Sequence, residues 1–463
     1  MLKSKEISIP EENPFLNDSL NRKESAETLT QFVLSTNDPM VICIDAPWGQ
    51  GKTTFLRMWE QHLKNQKIPT IYFNAWENDF TDDALVSLIG EIGSALSELA
   101  KPGDEPKARE FYDKAKKIGA ALLKRSIPLA AKIATVGALN LDELSEDAIA
   151  TFTETLAKEK IEQYESAKKS IQAFRDALRE LASSISANGT PLIFIIDELD
   201  RCRPNYSIEV LEKAKHFFNV ENIVFILGAD KTQLGSSIKA IYGEGLNVNG
   251  YLRRFIDFDY LLPQPIKGAY VKNLFDRYNF HAYFSQKTHS ELRYERDQSL
   301  NMFEELFRLY NLTLREQNQC CSLLSLAIRT TPNDHKLYPL FLCLLIVLKV
   351  RVPETYSALI KNDIQPKELL NQLKNIRGGK ELLETNYGMA LEAYIVTCKS
   401  ERNEMGDINT EYKKIIESES STNEQKQTAS RILTIIDEFY WKGGSGALNY
   451  LTKKIELASH FKS

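Results

Sequence analysis

No stretch of this chain reaches the roughly 18 unbroken apolar residues that a membrane-spanning helix needs. Ile118–Leu141 comes nearest in length, but Lys124, Arg125 and Lys132 interrupt it. Leu337–Leu348 is strongly apolar, yet it is short and carries Pro339. The first reads as an amphipathic or buried helix and the second as a core helix. Cysteine is scarce, with 6 in 463 residues, at Cys43, Cys202, Cys320, Cys321, Cys343 and Cys398. None forms a C-x-x-C pair, which argues against a zinc site or a disulfide framework and for reduced thiols. A basic excess is also missing. Lys and Arg number 58 against 63 Asp and Glu, a net charge of -5, so composition does not point to nucleic acid. The polar N-terminus has no apolar core of the kind a signal peptide carries. Together these absences predict a cytoplasmic chain with no membrane span.

What is present is ordinary for a globular protein with a real core, 43% apolar and 26% charged. Val41–Asp45 is a short apolar run rich in β-branched residues, and Thr70–Trp76, Pro191–Asp197, Asn222–Ala229 and Ile256–Leu262 also read as strands. Runs without polar alternation fit strands buried on both faces of a parallel sheet. Helical patterns stand between them over 53–64, 82–100, 207–218 and 231–242, and a helical patch precedes the first strand near Ala26–Leu34. Alternation of this kind predicts an α/β fold with a doubly wound parallel sheet. Residues 101–190 hold no strand-like run and read as a helical insertion, with a charged helix over Ala157–Ser183. After Pro265 strand signals fade into an all-α C-terminal region, where Thr313-Leu-Arg-Glu316 has the form of a capping box. Gly443–Gly446 reads as a turn. The predicted domains are a core over 1–265, a helical lid or C-terminal domain over 266–400 and a helical extension over 401–463.

The segment Ala46-Pro-Trp-Gly-Gln-Gly-Lys-Thr53 follows a buried strand and opens a helix. That is the setting of a phosphate-binding P-loop. Gly49 and Gly51 let successive backbone N–H groups face one concavity, and the helix N-terminus adds the positive end of its dipole. Lys52 would neutralise the β- and γ-phosphates, and the Thr53 hydroxyl would ligate magnesium. Trp48, Gly49, Gln50, Gly51, Lys52, Thr53 and Thr54 are therefore the candidate nucleotide-binding residues. The first glycine of the usual G-x-x-x-x-G-K-[ST] pattern is Ala46 here, which suffices if its φ is negative.

Pro191-Leu-Ile-Phe-Ile-Ile-Asp-Glu-Leu-Asp-Arg201 is an apolar strand ending in carboxylates. Placed beside the P-loop strand, it would bring Asp197 to the metal and let Glu198 polarise the attacking water as general base. Asp200 is a rival for the second role.

These parts resemble the KAP family of P-loop NTPases, additional-strand ATPases related to AAA+ and STAND proteins. The resemblance is carried by Pro47-Trp48-Gly49-Gln50-Gly51-Lys52, by Phe73-Asn74-Ala75-Trp76-Glu77 and by Asp197-Glu198-Leu199-Asp200-Arg201-Cys202. Gly228-Ala229-Asp230, Tyr251-Leu252-Arg253-Arg254-Phe255 and Leu262-Pro263 follow in the same order, across about residues 15–345. It implies ATP with Mg²⁺ as the ligand, Asp230 as the sensor of the γ-phosphate, and Arg253 or Arg254 as an arginine finger given to a neighbouring copy. A homo-oligomer follows from such a finger. Arg315 resembles the arginine of a helical lid, against the plainer reading of an exposed first-turn residue. The segment Leu16–Arg22 would approach the base, and Trp48 and Trp76 read as core aromatics beside the site.

Many family members carry two membrane helices between the P-loop and the acidic strand, where this chain has its helical insertion and no span. Bacterial members are often tied to exclusion of phage. Kinship thus implies a nucleotide-dependent oligomeric switch with a protein effector, in anti-phage defence. Two other readings stand beside it: an ATP-ordered scaffold with little turnover, and a nucleic-acid-handling ATPase. The chain's overall acidity weighs against the second.

Overall fold

A computed structural model describes residues 7–36, 38–80, 84–99, 172–185, 189–214, 219–263, 268–287, 294–399, 405–441 and 447–456, with scattered positions between 106 and 169. The expectations for Ile118–Leu141 and for a turn at Gly443–Gly446 lie outside the described residues, as does most of the helix expected over 157–183 before position 172. The chain divides into two compact units, one built on Ser8–Asp18 with Arg22–Pro263 and the other on Gln264–Ser463.

The first unit is the predicted α/β core. Its five parallel strands are β1 (Met40–Asp45), β2 (Thr70–Asn74), β3 (Leu192–Asp197), β4 (Ile223–Ala229) and β5 (Phe258–Leu261), in the sheet order β2-β3-β4-β1-β5. β2, β3 and β4 are buried at every position, which is why their sequences read as unbroken apolar runs. β5 closes one edge and is largely exposed.

Helices cover both faces. Alternate residues such as Val41, Cys43, Phe194, Ile196 and Phe225 join one apolar cluster with α3 (Ala84–Leu99), α4 (172–185) and α5 (Pro204–Ala214). α2 (Lys52–Asn65) packs along β2, β3 and β4 and supplies Phe55, Leu56 and Trp59, all essentially buried. α1 (Lys23–Leu34) lies on α2, while α6 (Lys231–Tyr242) and the short α7 (Val248–Leu252) follow β4.

One expectation is corrected here. The acidic strand β3 does not lie beside the P-loop strand β1, because β4 stands between them. The registers Asp197↔Gly228 and Ile44↔Gly228 put a glycine directly between the carboxylate and the P-loop strand. A Cβ on Gly228 would sit 2.5 Å from Asp197 Oδ1 and would also strike the Leu56 side chain. The missing side chain is what lets Asp197 reach across one strand.

The second unit is helical throughout its described residues. α8 (Glu295–Leu309), α9 (Leu314–Arg329) and α10 (Pro339–Arg351) contribute to a single apolar core that runs from Val271 to Ile455. α9 opens with the predicted capping box, Thr313 Oγ1 accepting from Glu316 N and the Glu316 carboxylate accepting from Thr313 N at 2.7 Å. Every residue of α10 from Pro339 to Leu348 is buried, so the apolar run is a core helix. Pro339 opens that helix, where the N–H that proline lacks would have no intrahelical partner. Among the described residues, no helix is long and apolar enough to cross a membrane.

Candidate functional site

The P-loop follows directly from β1. Gly49 and Gly51 both sit at φ 79°, a left-handed conformation that glycine adopts without steric penalty. Ala46 is not among the residues with positive φ, so alanine serves there without strain. Lys52 starts α2 and is buried. Its Nζ lies 3.4 Å from the Ala46 carbonyl and 3.5 Å from Asp200 Oδ2. Thr54 follows Thr53 in the same turn and is half-buried.

Three side chains fasten the loop from outside it. Asp230 Oδ2 accepts from Trp48 N at 3.1 Å, Asp200 Oδ2 accepts from the Trp48 indole, and Arg22 Nη2 donates to the Gln50 carbonyl at 3.1 Å. Arg22 is almost fully buried, and that burial lowers its guanidinium to about 10. Among the described residues its Nε and Nη1 have no hydrogen-bond partner.

At the end of β3, Asp197 is completely buried. Its Oδ2 accepts from the Tyr72 hydroxyl at 2.6 Å and its Oδ1 from Glu198 N at 2.8 Å. Burial pushes its carboxyl above the ordinary range, opposed by those two bonds, by Lys52 and by a bond from the Thr53 hydroxyl. Tyr72 is pushed up in turn, first by burial and then by Asp197, and the Arg57 guanidinium lies 3.4 Å over its ring.

Glu198 comes next, at φ 61°, and its carboxylate has donors on both oxygens. Oε1 accepts from Thr53 Oγ1 at 3.2 Å and pairs with Arg201, while Oε2 accepts from Asn74 Nδ2 at 3.2 Å. Asn74 is itself held, its Oδ1 accepting from Trp76 N and Glu77 N at 3.1 and 3.2 Å. The structure thus brings Lys52, Thr53, Asp197 and Glu198 to one place, with the Thr53 hydroxyl donating to Glu198.

The KAP family P-loop domain matches this chain over residues 22–405. The chain belongs to that family. It is a nucleotide-binding P-loop NTPase in fold and in class. An uncharacterized protein of Methanocaldococcus jannaschii is 30% identical over an alignment of 176 residues, with 34% of this chain and 87% of that protein covered. Among solved structures, the Aeropyrum pernix ORC2 protein in its ADPNP–ADP complexes aligns at 14% identity and a TM-score of 0.33, covering 97% of each chain. The Aeropyrum pernix ORC1 protein in complex with DNA aligns at 12% and 0.31, covering 95% of this chain and 94% of that one. C. elegans PCH-2 aligns at 12% and 0.27, covering 74% and 68%. At scores this low the likenesses carry no functional conclusion, and the fold assignment stands on strand order and family.

Other residues singled out in this KAP chain stand apart from the cluster or do different work. Asp230 caps α6, its Oδ1 accepting from Thr232 N and Gln233 N, while its Oδ2 holds Trp48 N. Both oxygens serve backbone groups, so these contacts show a clamp on the P-loop. Arg253 and Arg254 are exposed at the end of α7, Arg254 lying 5.9 Å from the Tyr251 ring. Arg315 belongs to the helical unit, in the first turn of α9. Leu16 is exposed, whereas Arg22 touches the loop. Trp48 and Trp76 are not core aromatics, being 42% and 54% exposed. The Trp48 indole donates to Asp200, and the Arg201 guanidinium lies 6.0 Å from the Trp76 ring.

Sequence reasoning missed Tyr72, Asn74, Arg57 and Gly228 as parts of the site. Only Asn74 and Gly228 lay inside motifs, and nothing local gives either a role. Among the described residues no group of three His, Cys, Asp or Glu side chains could hold a metal by itself. Magnesium needs no such group, since it takes one or two protein oxygens together with phosphates and waters. The Thr53 hydroxyl and Asp197 supply those oxygens side by side, so the donor set fits.

Proposed function

We propose that this KAP chain binds ATP with Mg²⁺ and hydrolyses it. The observation that carries this is the buried patch that holds Lys52, Asp197 and Glu198 together, with the Thr53 hydroxyl donating to Glu198. Lys52 and the loop amides would hold the β- and γ-phosphates, and Thr53 and Asp197 would hold the metal. Magnesium, when bound, neutralises charge on the phosphoryl oxygens. Glu198 would orient and deprotonate the attacking water. Glu198→Gln should keep nucleotide bound while turnover falls by about 100-fold or more. Unchanged turnover in that variant removes Glu198 from the mechanism.

Kinship supports a wider role as a nucleotide-dependent oligomeric switch in the cytoplasm, acting on a protein effector in anti-phage defence. Exposure of Arg253 and Arg254 supports one of them as a finger completing a neighbour's site. Light scattering with and without ATP, in wild type and in Arg253→Ala and Arg254→Ala, tests assembly and finger together. If neither variant loses turnover, the finger assignment fails.

A second reading has its own support. Thr53, Asn74 and Arg201 together hold the Glu198 carboxylate, which favours a chain in which nucleotide orders the structure and turnover is slow. Under that reading Lys52→Ala loses nucleotide and Glu198→Gln loses nothing.

A further inference from the structure

Between the acidic strand and α5 runs a single turn of 3₁₀ helix, Leu199–Arg201, whose two charged side chains serve opposite halves of the site. Asp200 faces the P-loop. Its Oδ2 accepts from the Trp48 indole and pairs with Lys52, while its Oδ1 is buried with no hydrogen-bond partner among the described residues. Arg201 faces the base. Its Nη1 pairs with Glu198 Oε1, and its guanidinium lies 6.0 Å from the Trp76 ring. Glu198, the residue that opens the turn, holds a left-handed backbone that a residue with a side chain keeps only under constraint. Neighbouring residues of one tight turn cannot shift independently.

We propose that this turn couples phosphate binding to the general base, with Asp200 and Arg201 as positioning residues. The inference rests on the reading of Glu198 as that base. A triphosphate would compete with Asp200 for the Lys52 ammonium. It carries more charge than a carboxylate, and it repels Asp200 at short range. Asp200 is the weaker contender, because its second oxygen already lacks a donor and so gains little from staying. As Asp200 gives way, the turn moves and draws Arg201 from Glu198. That frees Oε1 to accept a proton from water. Trp48 loses or rearranges its bond to Asp200 in the same event, so its emission reports the shift.

The test is a double-mutant cycle on the full chain. Nucleotide affinity is read by Trp48 fluorescence with Trp48→Phe as the blank, and kcat and KM are measured separately. Asp200→Asn keeps an acceptor for the indole but removes the charge that competes for Lys52. It should tighten nucleotide binding by about 3- to 10-fold. Arg201→Ala should raise kcat by about 3- to 10-fold with KM unchanged, and Arg201→Lys should stay near wild type. In the double variant the rise in kcat should fall short of the product of the single effects, since one turn carries both. Strict multiplicativity, or a lower kcat in Arg201→Ala, overturns the coupling. Should Arg201→Ala fail to fold, Trp76→Ala removes only the ring beside the guanidinium and must raise kcat too; no rise overturns the proposal equally. The base assignment fails separately: Glu198→Gln turning over like wild type sinks it, whereas an inactive Glu198→Gln with a multiplicative cycle sinks the coupling alone.

Discussion

The two units bury polar side chains to different ends. In the helical unit several such groups close the backbone. Glu295 Oε1 accepts from Leu337 N at 2.8 Å, Lys287 Nζ donates to the Pro332 and His335 carbonyls at 3.3 and 3.2 Å, and Ser299 returns to the Glu295 carbonyl. In the α/β unit Lys52 bonds Asp200, and Thr53 and Asn74 bond Glu198, side chain to side chain. Bonds to backbone have no second use, because the chain cannot leave. Bonds among ionisable side chains can be traded for bonds to a ligand at little net cost. The first arrangement is architecture and the second is a site.

The largest expected effect tests the architectural side. Phe341 is fully buried in α10, and Phe341→Ala removes a ring from a helix packed on every face. Urea denaturation should show a loss of about 3–5 kcal/mol. Nucleotide affinity, measured where the variant is still folded, should be unchanged. A parallel loss of affinity would break the division between the units.

Glu295 offers a smaller effect with a definite sign. Burial pushes its carboxyl from 4.5 up to about 7, against the Leu337 N–H and the Lys287 charge. The folded chain therefore holds this proton more tightly than the unfolded one. The stabilisation is full below pH 4.5 and is lost as pH rises through about 7. Across that window wild type should lose up to about 3 kcal/mol that Glu295→Gln does not lose. Thermal melts over the same pH range decide it. Equal slopes in the two proteins would mean that Glu295 is not what makes the helical unit's stability pH-dependent.

Legibility in the sequence divided along the same line. The buried strands were readable because burial on both faces leaves an unbroken apolar run, as in Ile193–Ile196. The P-loop was readable because strand, glycines and helix adjoin in the chain. The capping box was readable because its partners stand three residues apart. Strand order was not, since β4 enters between β1 and β3 by a long-range pairing that no local pattern encodes. Gly228 matters for the space it leaves to Asp197, which needs the register to be seen. Trp48 and Trp76 were read as core because large aromatics usually are, and only three-dimensional neighbours show them at the surface. The same holds for Asp230, whose sequence setting gives no sign that both oxygens are engaged by backbone N–H groups.

The smallest effect sharpens the comparison most, because it asks whether one buried amide belongs to architecture or to the site. Asn74 does both jobs: Oδ1 accepts from Trp76 N and Glu77 N, and Nδ2 donates to Glu198 Oε2. Its architectural half is worth about 1 kcal/mol, so Asn74→Ala should lower stability by roughly that much. Its other half restrains Glu198, and removing one restraint of this strength should raise kcat by about 5-fold with KM unchanged. Asn74→Asp separates the halves. It keeps an acceptor for the two N–H groups but puts a negative charge against the Glu198 carboxylate. Stability and rate moving in opposite directions in Asn74→Ala would mark Asn74 as part of the site. A rate that falls in step with stability would assign Asn74 to the scaffold and leave Arg201 and Thr53 as the groups that hold the base.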